Sequence, residues 1–275
     1  MSTQSYLQVR NLNVHENMAA DEPLLAQGFG AVEDSNQDPT SQTEVTTEDS
    51  ARGPAVSCQL QNAALRVYLP PQVAEQITLS DGALELGGVL QMVTVLFADI
   101  RGFTQLSEKM DAQEVVLMLN EFFTAMTEVV IEAGGTVDKY IGDCVMALFG
   151  APTQRADDVE RGVCAAVNMQ RVVARMNVDR AGRGLRPVKI GVGLHVGPAV
   201  VGNIGCARRM QYTAIGDTIN VASRVVDTAA PEQVLVSGDV RSAVPNGGLF
   251  QPLGRVELKG RQQRLSIYSV PWETV

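Results

Sequence analysis

Two aspartates stand at the ends of two apolar runs, and their setting points to cation chemistry. Val93-Thr94-Val95-Leu96-Phe97-Ala98 leads into Asp99, which is followed by Ile100-Arg101-Gly102-Phe103-Thr104. Asp138-Lys139-Tyr140-Ile141-Gly142-Asp143 leads into the second run, Cys144 to Phe149. The first reads as a buried strand that presents Asp99 at its end. The second reads as a hairpin with Gly142-Asp143 as its tight turn, since glycine supplies the positive φ that such turns need. If these strands pair, the two carboxylates meet at one sheet edge with no neighbouring base to neutralise both. Two close carboxylates either share a proton or hold a hard cation, typically magnesium with a phosphate substrate. The glycine-containing turn after Asp99 can offer backbone N–H groups to phosphate oxygens beside that cation. Taken singly, Asp99 also fits a strand-end cap, and Asp143 an ordinary turn residue.

A third stretch, Gln211 to Arg224, contains Gly216-Asp217 as a helix entrance. Asn220 and Arg224 then fall at i and i+4 on one helical face. An amide and a guanidinium so placed could orient a ribose and bind a phosphate; a solvated surface helix fits the spacing equally well. Lys139 alone reads as a solvated strand lysine, His195 as a satisfied strand histidine, and Met118 and Met126 as core.

The elements around these residues follow from periodicity and punctuation. Asp111-Ala112-Gln113-Glu114 is a capping box opening a helix through Val115, Leu117, Met118, Leu119, Phe122, Phe123, Met126 and Val130, which Gly134-Gly135 stops. After the hairpin, a second helix runs from about Asp157 to Asn177, with Val159, Val163, Ala166, Val167 and Val173 as its stripe. Val188 to Val196 alternates as a strand. A third helix around Ile219–Ala229 and short C-terminal strands complete the pattern. Strand, helix, two strands, helix, strand is the ferredoxin-like βαββαβ order, so the fold class is α+β with an added C-terminal helix and strands.

Upstream, residues 1–55 read as a disordered acidic tail, too poor in large apolar side chains to offset ordering. Residues 56–90 read as a connector holding a short amphipathic helix, Gln72 to Ile77, entered through Pro70-Pro71. Residues 91–275 form the main domain. The chain has 275 residues, is 45% hydrophobic and carries a net charge of −9. Up to Arg52 there are nine acidic residues against two basic, a net of −7, so the globular part is nearly neutral. It lacks the clustered basic face of a nucleic-acid binder. The four cysteines (Cys58, Cys144, Cys164, Cys206) show no CxxC and no zinc spacing, and read as reduced core thiols. No apolar run reaches the ~18 residues of a membrane span, and no signal peptide is evident, so a cytoplasmic protein is expected.

The stretches Leu96–Thr104, Lys139–Asp143 and Tyr212–Arg224, in that order, resemble the catalytic domain of class III adenylyl and guanylyl cyclases. The resemblance covers about Val93 to Tyr268 and implies a role for each matching position. Asp99 and Asp143, with Ile100, match the metal set that holds two divalent cations, magnesium or manganese. Lys139 and Thr213 match the purine-reading pair of a threonine-type, largely bacterial subgroup, and favour ATP over GTP. A lysine can donate to adenine N1 but would face the N–H of guanine. Phe103 matches a substrate-binding position, and Asn220 and Arg224 match the pair acting on ribose and reacting phosphate. Either Lys259 or Arg261 in Leu258-Lys259-Gly260-Arg261 matches the group for the terminal phosphates, with Lys259 favoured.

The implied activity is adenylyl cyclase, turning ATP into 3′,5′-cyclic AMP and pyrophosphate by two-metal-assisted attack of the ribose 3′-OH on the α-phosphate. The implied assembly is a homodimer with sites shared between subunits, and bicarbonate or another small regulator is a candidate partner. A guanylyl cyclase, or a silent nucleotide-binding regulatory module, is the alternative. The hairpin carries no GG[DE]EF-like turn, which argues against a diguanylate synthase.

Overall fold

The computed structural model describes residues 73–74, 85–244, 250–257 and 264–273. The expected tail, and Lys259 and Arg261, lie outside the described residues. So does most of the connector helix, of which Val73 and Ala74 are helical.

One mixed sheet organises the domain. Its strands are β1 (Gly87–Ile100), β2 (Thr136–Ile141), β3 (Cys144–Phe149), β4 (Ile190–Cys206), β5 (Arg209–Ile215), β6 (Gln233–Ser237), β7 (Gln251–Glu257) and β8 (Arg264–Ser269). They run in the order β2-β3-β1-β4-β6-β8-β7, with β5 paired to β4. The first four give the ferredoxin-like arrangement expected from the sequence, β1 lying antiparallel between β3 and β4. The helices are α1 (Phe103–Ser107), α2 (Ala112–Glu132), α3 (Asp158–Gly182), α4 (Asp217–Thr228) and α5 (Gly238–Ala243).

Both faces of the sheet are covered along the second half of β1, which is why Val93–Ala98 reads as a continuous apolar run. Leu96, Ala98 and Ile100 belong to one core, with Phe122 and Met126 of α2 and Met169 of α3. Val93, Val95 and Phe97 belong to a second core, with Ala214 of β5 and Ala222 and Val226 of α4. The period-2 alternation of a strand assigns each residue of β1 to one core or the other. At the start of α2 the Asp111 N–H donates to the Glu114 carboxylate at 3.3 Å, and the helix ends before Gly134 as its sequence indicates.

Several expectations are corrected. β1 begins at Gly87 and β4 continues past Val196 to Cys206, because their pairing extends without a break from Ile100↔Ile190 to Gly87↔Asn203. Pro198 does not end β4, and its carbonyl accepts a hydrogen bond from Thr218 Oγ1 at 2.7 Å. Leu117, one of the apolar residues that marked α2, is 69% exposed. Cys58 lies outside the described residues, and among the described cysteines only Cys144 is a buried core thiol. Cys164 and Cys206 are free but exposed, one on the outer side of α3 and one at the tip of the β4–β5 hairpin.

Candidate active site

Strand parity aims Asp99. It continues the series Val93, Val95, Phe97, so its carboxylate emerges on the face covered by α4. Asp99 stands opposite Cys144 in β3 and Gly191 in β4. The two-residue turn between Ile141 and Cys144, with Gly142 at φ 64°, then sets Asp143 beside it. The expected strand pairing therefore brings the two carboxylates together, and their side chains interact directly.

The setting differs from a bare sheet edge. β1 is an interior strand, so the pair meets at the end of the sheet's central strands. A base is also present: Arg101 Nη2 lies 3.3 Å from Asp99 Oδ2. The same nitrogen donates to the Val226 carbonyl at 2.9 Å, which ties the end of β1 to the last turn of α4. Arg101 thus partly neutralises Asp99 and braces a helix at once.

Burial pushes the Asp143 carboxyl up to about 7, and the adjacent Asp99 charge pushes the same way. Asp99 is also raised, mainly by burial, against the opposing pull of Arg101. A proton shared between the two would ease their repulsion. Two desolvated oxygen donors in repulsion suit a hard divalent cation, which would take the place of that proton. Ile100 can join them only through its backbone carbonyl, since its side chain is core. Among the described residues no group of three or more His, Cys, Asp or Glu is arranged to hold a metal, so further ligands would come from phosphate and water.

A second cluster forms between β2 and β5. Lys139 Nζ donates to Thr213 Oγ1 at 2.9 Å, joining the two residues that the sequence assigns to purine reading. Thr213 is buried, and its hydroxyl donates to Asp138 Oδ2 at 2.6 Å. Asp138 was not expected here. Adjacent strand residues ordinarily face opposite sides, but β2 shifts register between Val137 and Lys139, and the bulge lets Asp138 and Lys139 both reach Thr213. Two charged residues in succession within Thr136–Ile141 break the period-2 pattern, and that was the available signal. Burial raises the Asp138 carboxyl, while the Thr213 hydroxyl and the Lys139 ammonium work against the shift.

The third group lies on α4, entered at Gly216. Val221, Ala222, Val225 and Val226 are buried, whereas Asn220 is exposed and Arg224 half-buried. Glycines in β4 let α4 lie close: a Cβ on Gly193 would sit 2.4 Å from the Val226 nitrogen. Phe103, at the start of α1, is half-buried against the core formed with α2 and α3. His195 is a satisfied strand histidine, with Nδ1 2.8 Å from Ser237 Oγ.

Among the described residues, no hydrogen bond or ion pair joins the carboxylate pair to the Lys139–Thr213 cluster. Within one chain the carboxylate pair and the Lys139–Thr213 cluster are thus two separate halves, without a direct polar link.

Residues 89–270 match the family model of the adenylate and guanylate cyclase catalytic domain. Adenylate cyclase 1 of Rhizobium meliloti (strain 1021) is 38% identical over 182 residues, which are 66% of this chain and 27% of that relative. The chain thus spans about a quarter of that relative's length. The crystal structure of the guanylyl cyclase Cya2 matches with a TM-score of 0.64 at 35% identity, covering 67% of this chain and 94% of that one. The adenylyl cyclase CyaB from P. aeruginosa matches with a TM-score of 0.64 at 32% identity, covering 68% and 96%.

Proposed function

Since this chain belongs to the adenylate and guanylate cyclase catalytic domain family, we propose that it is an adenylyl cyclase that converts ATP to 3′,5′-cyclic AMP and pyrophosphate. The observation that carries the choice of purine is the 2.9 Å hydrogen bond between Lys139 and Thr213. A lysine ammonium has only protons to offer, which suits the unprotonated N1 of adenine and opposes the N1–H of guanine.

In this reading Asp99 and Asp143, with the Ile100 carbonyl, hold divalent magnesium or manganese. Such ions supply Lewis-acid activation of the 3′-OH and charge neutralisation at the triphosphate. Lys139 and Thr213 fix the base, and Phe103 contributes to the substrate pocket. Asn220 orients the ribose, so that O3′ faces the α-phosphorus. The O3′–Pα bond forms, the Pα–O bond to pyrophosphate breaks, and the 3′-hydroxyl proton leaves to solvent. Arg224 places a guanidinium against the charge that accumulates at the α-phosphate. Lys259 is the candidate for the terminal phosphates.

The separation of the two halves supports a homodimer with two shared sites, the carboxylate pair of one subunit facing Lys139, Thr213, Asn220 and Arg224 of the other. No helix among the described residues is long and apolar enough to cross a membrane, and we place the domain in the cytoplasm. A bicarbonate response belongs to the same reading.

The test is turnover of ATP and GTP with Mg²⁺ and with Mn²⁺, with products resolved chromatographically. Cyclic AMP as the main product, lost in Asp99→Ala, is the expected result. Preferential cyclic GMP formation would reverse the purine assignment. Asp99→Ala and Asn220→Ala proteins, each inactive alone, should regain part of their activity when mixed. No recovery between folded, exchanging subunits would count against the shared site.

A further inference from the structure

The purine-reading cluster has a third member whose position gives it a task of its own. The Asp138 side chain is 0% exposed, carried inward by the β2 bulge. Its Oδ2 accepts the Thr213 hydroxyl at 2.6 Å and the Ala214 N–H at 3.4 Å. Its Oδ1 lies 3.4 Å from Lys139 Nζ, off the direction of a hydrogen bond, and has no hydrogen-bond partner among the described residues. A buried carboxylate oxygen left this way is costly, so the group needs a reason to be there.

A threonine hydroxyl has one proton and two acceptor sites. Here the proton is committed to Asp138, and one acceptor site takes the Lys139 ammonium at 2.9 Å. Only an acceptor site remains for anything else. We propose that Asp138 is a positioning residue that sets the polarity of the purine reader: by taking the Thr213 proton it makes Thr213 an obligate acceptor, which selects a base with an exocyclic amine over one with an exocyclic carbonyl. The inference rests on the adenylyl cyclase reading and deepens it. Without Asp138 the hydroxyl could rotate and donate to a 6-oxo group, so Lys139, acting at N1, would carry the preference alone. Asp138 also acts on Lys139, keeping the ammonium beside Thr213 in the absence of nucleotide.

The experiment compares ATP with inosine triphosphate, which replaces the 6-amine by a carbonyl and adds no 2-amino group. Wild-type protein should prefer ATP. In Asp138→Asn the side-chain amide can donate to Thr213, which frees the threonine proton; the ATP-to-ITP ratio of kcat/KM should fall about tenfold, the size of one reversed hydrogen bond. Asp138→Ala should move the ratio the same way and serves if the asparagine variant does not fold. In a Thr213→Val background Asp138→Asn should leave the ratio unchanged, because the hydroxyl it orients is gone.

A merely structural Asp138 would lower turnover of both nucleotides by the same factor, and that result, or an unchanged ratio in folded Asp138→Asn, would overturn the proposal. A wild-type preference for GTP and ITP would overturn the adenylyl reading and, with it, an acceptor-locked Thr213. If turnover is too low to measure, equilibrium binding of ATP and ITP reads the same ratio. A wild-type preference for ATP with an unmoved ratio in the variants sinks this inference alone.

Discussion

Replacing Gly193 by alanine tests whether the fit of α4 on β4 governs activity. A Cβ at this position would lie 2.4 Å from the Val226 nitrogen and 2.6 Å from its Cα. Ordinary carbon contacts begin at about 3.5 Å, so the helix must retreat by about 1 Å. Both close atoms are backbone, and no side-chain rotation relieves the contact. The retreat would stretch the 2.9 Å bond from Arg101 Nη2 to the Val226 carbonyl beyond hydrogen-bonding range. Overpacking of this kind costs about 1–3 kcal/mol. The larger effect falls on Arg224, one half-turn from Val226, because a misplacement of about 1 Å in a reacting constellation can cost on the order of 100-fold in rate. The assay is ATP turnover beside thermal unfolding. Gly182→Ala is the control: it ends α3 with no left-handed φ, and no atom lies within 4 Å of the added Cβ. Gly193→Ala should fold, melt lower and lose at least about tenfold in kcat. Wild-type turnover and melting in Gly193→Ala would refute the argument that this close approach sets the position of α4.

Removal of the Asp143 charge should change the response to pH. With its carboxyl raised to about 7 against an unfolded value of 3.8, the metal-free fold holds an extra proton between those values. Its contribution is therefore fully present below the lower value and lost as pH rises through the upper one. Metal-free protein should melt lower at pH 8 than at pH 6 by a margin that Asp143→Asn reduces; equal margins would refute the assignment. Mn²⁺ affinity, read by calorimetry, should rise from pH 5.5 to 7.5 in wild type, because the cation displaces that proton, and a flat profile would contradict it. Away from the site, Glu121 pairs with the buried Arg180 and with Arg183. Glu121→Ala should cost about 2–3 kcal/mol, a fall in melting midpoint on the order of 5–10 °C with activity retained below it, because the Arg180 charge stays buried with, among the described residues, the Arg186 carbonyl as the remaining partner of its side chain. A midpoint within 2 °C of wild type would contradict it (about 1 kcal/mol by the same scale).

The legible parts of this chain are those in which one local pattern has one physical solution. An apolar run ending in Asp99, a Gly142-Asp143 turn and a capping box at Asp111 each dictate their own geometry, and the strand order follows from the succession of elements. The site beyond the carboxylates was less accessible. The matching stretches marked Lys139 and Thr213 but gave no hint that Asp138 joins them, since a bulge depends on how β2 meets its neighbour rather than on β2 alone. Arg101 was visible two residues after Asp99, yet its reach to Val226 spans 125 positions and exists only once α4 is packed. The alternation Gly191-Val192-Gly193 did carry a signal. Small residues at every second position of a strand mark a face that something approaches closely, here Arg101 on Gly191 and α4 on Gly193.

The single extra residue in β2 also limits how this hairpin can change. Val137 pairs with Ala147 and Lys139 with Met146, so the bulge alone takes up Asp138 before the ladder resumes toward the turn. Deleting any one residue between Val137 and Ile141 would either straighten the strand and separate the carboxylate from the ammonium, or shift the turn and carry Asp143 away from Asp99. The positions proposed to read the base and to hold the cation are thereby yoked to a shared count of residues. Substitution can retune either one separately, whereas insertion or deletion here alters both together.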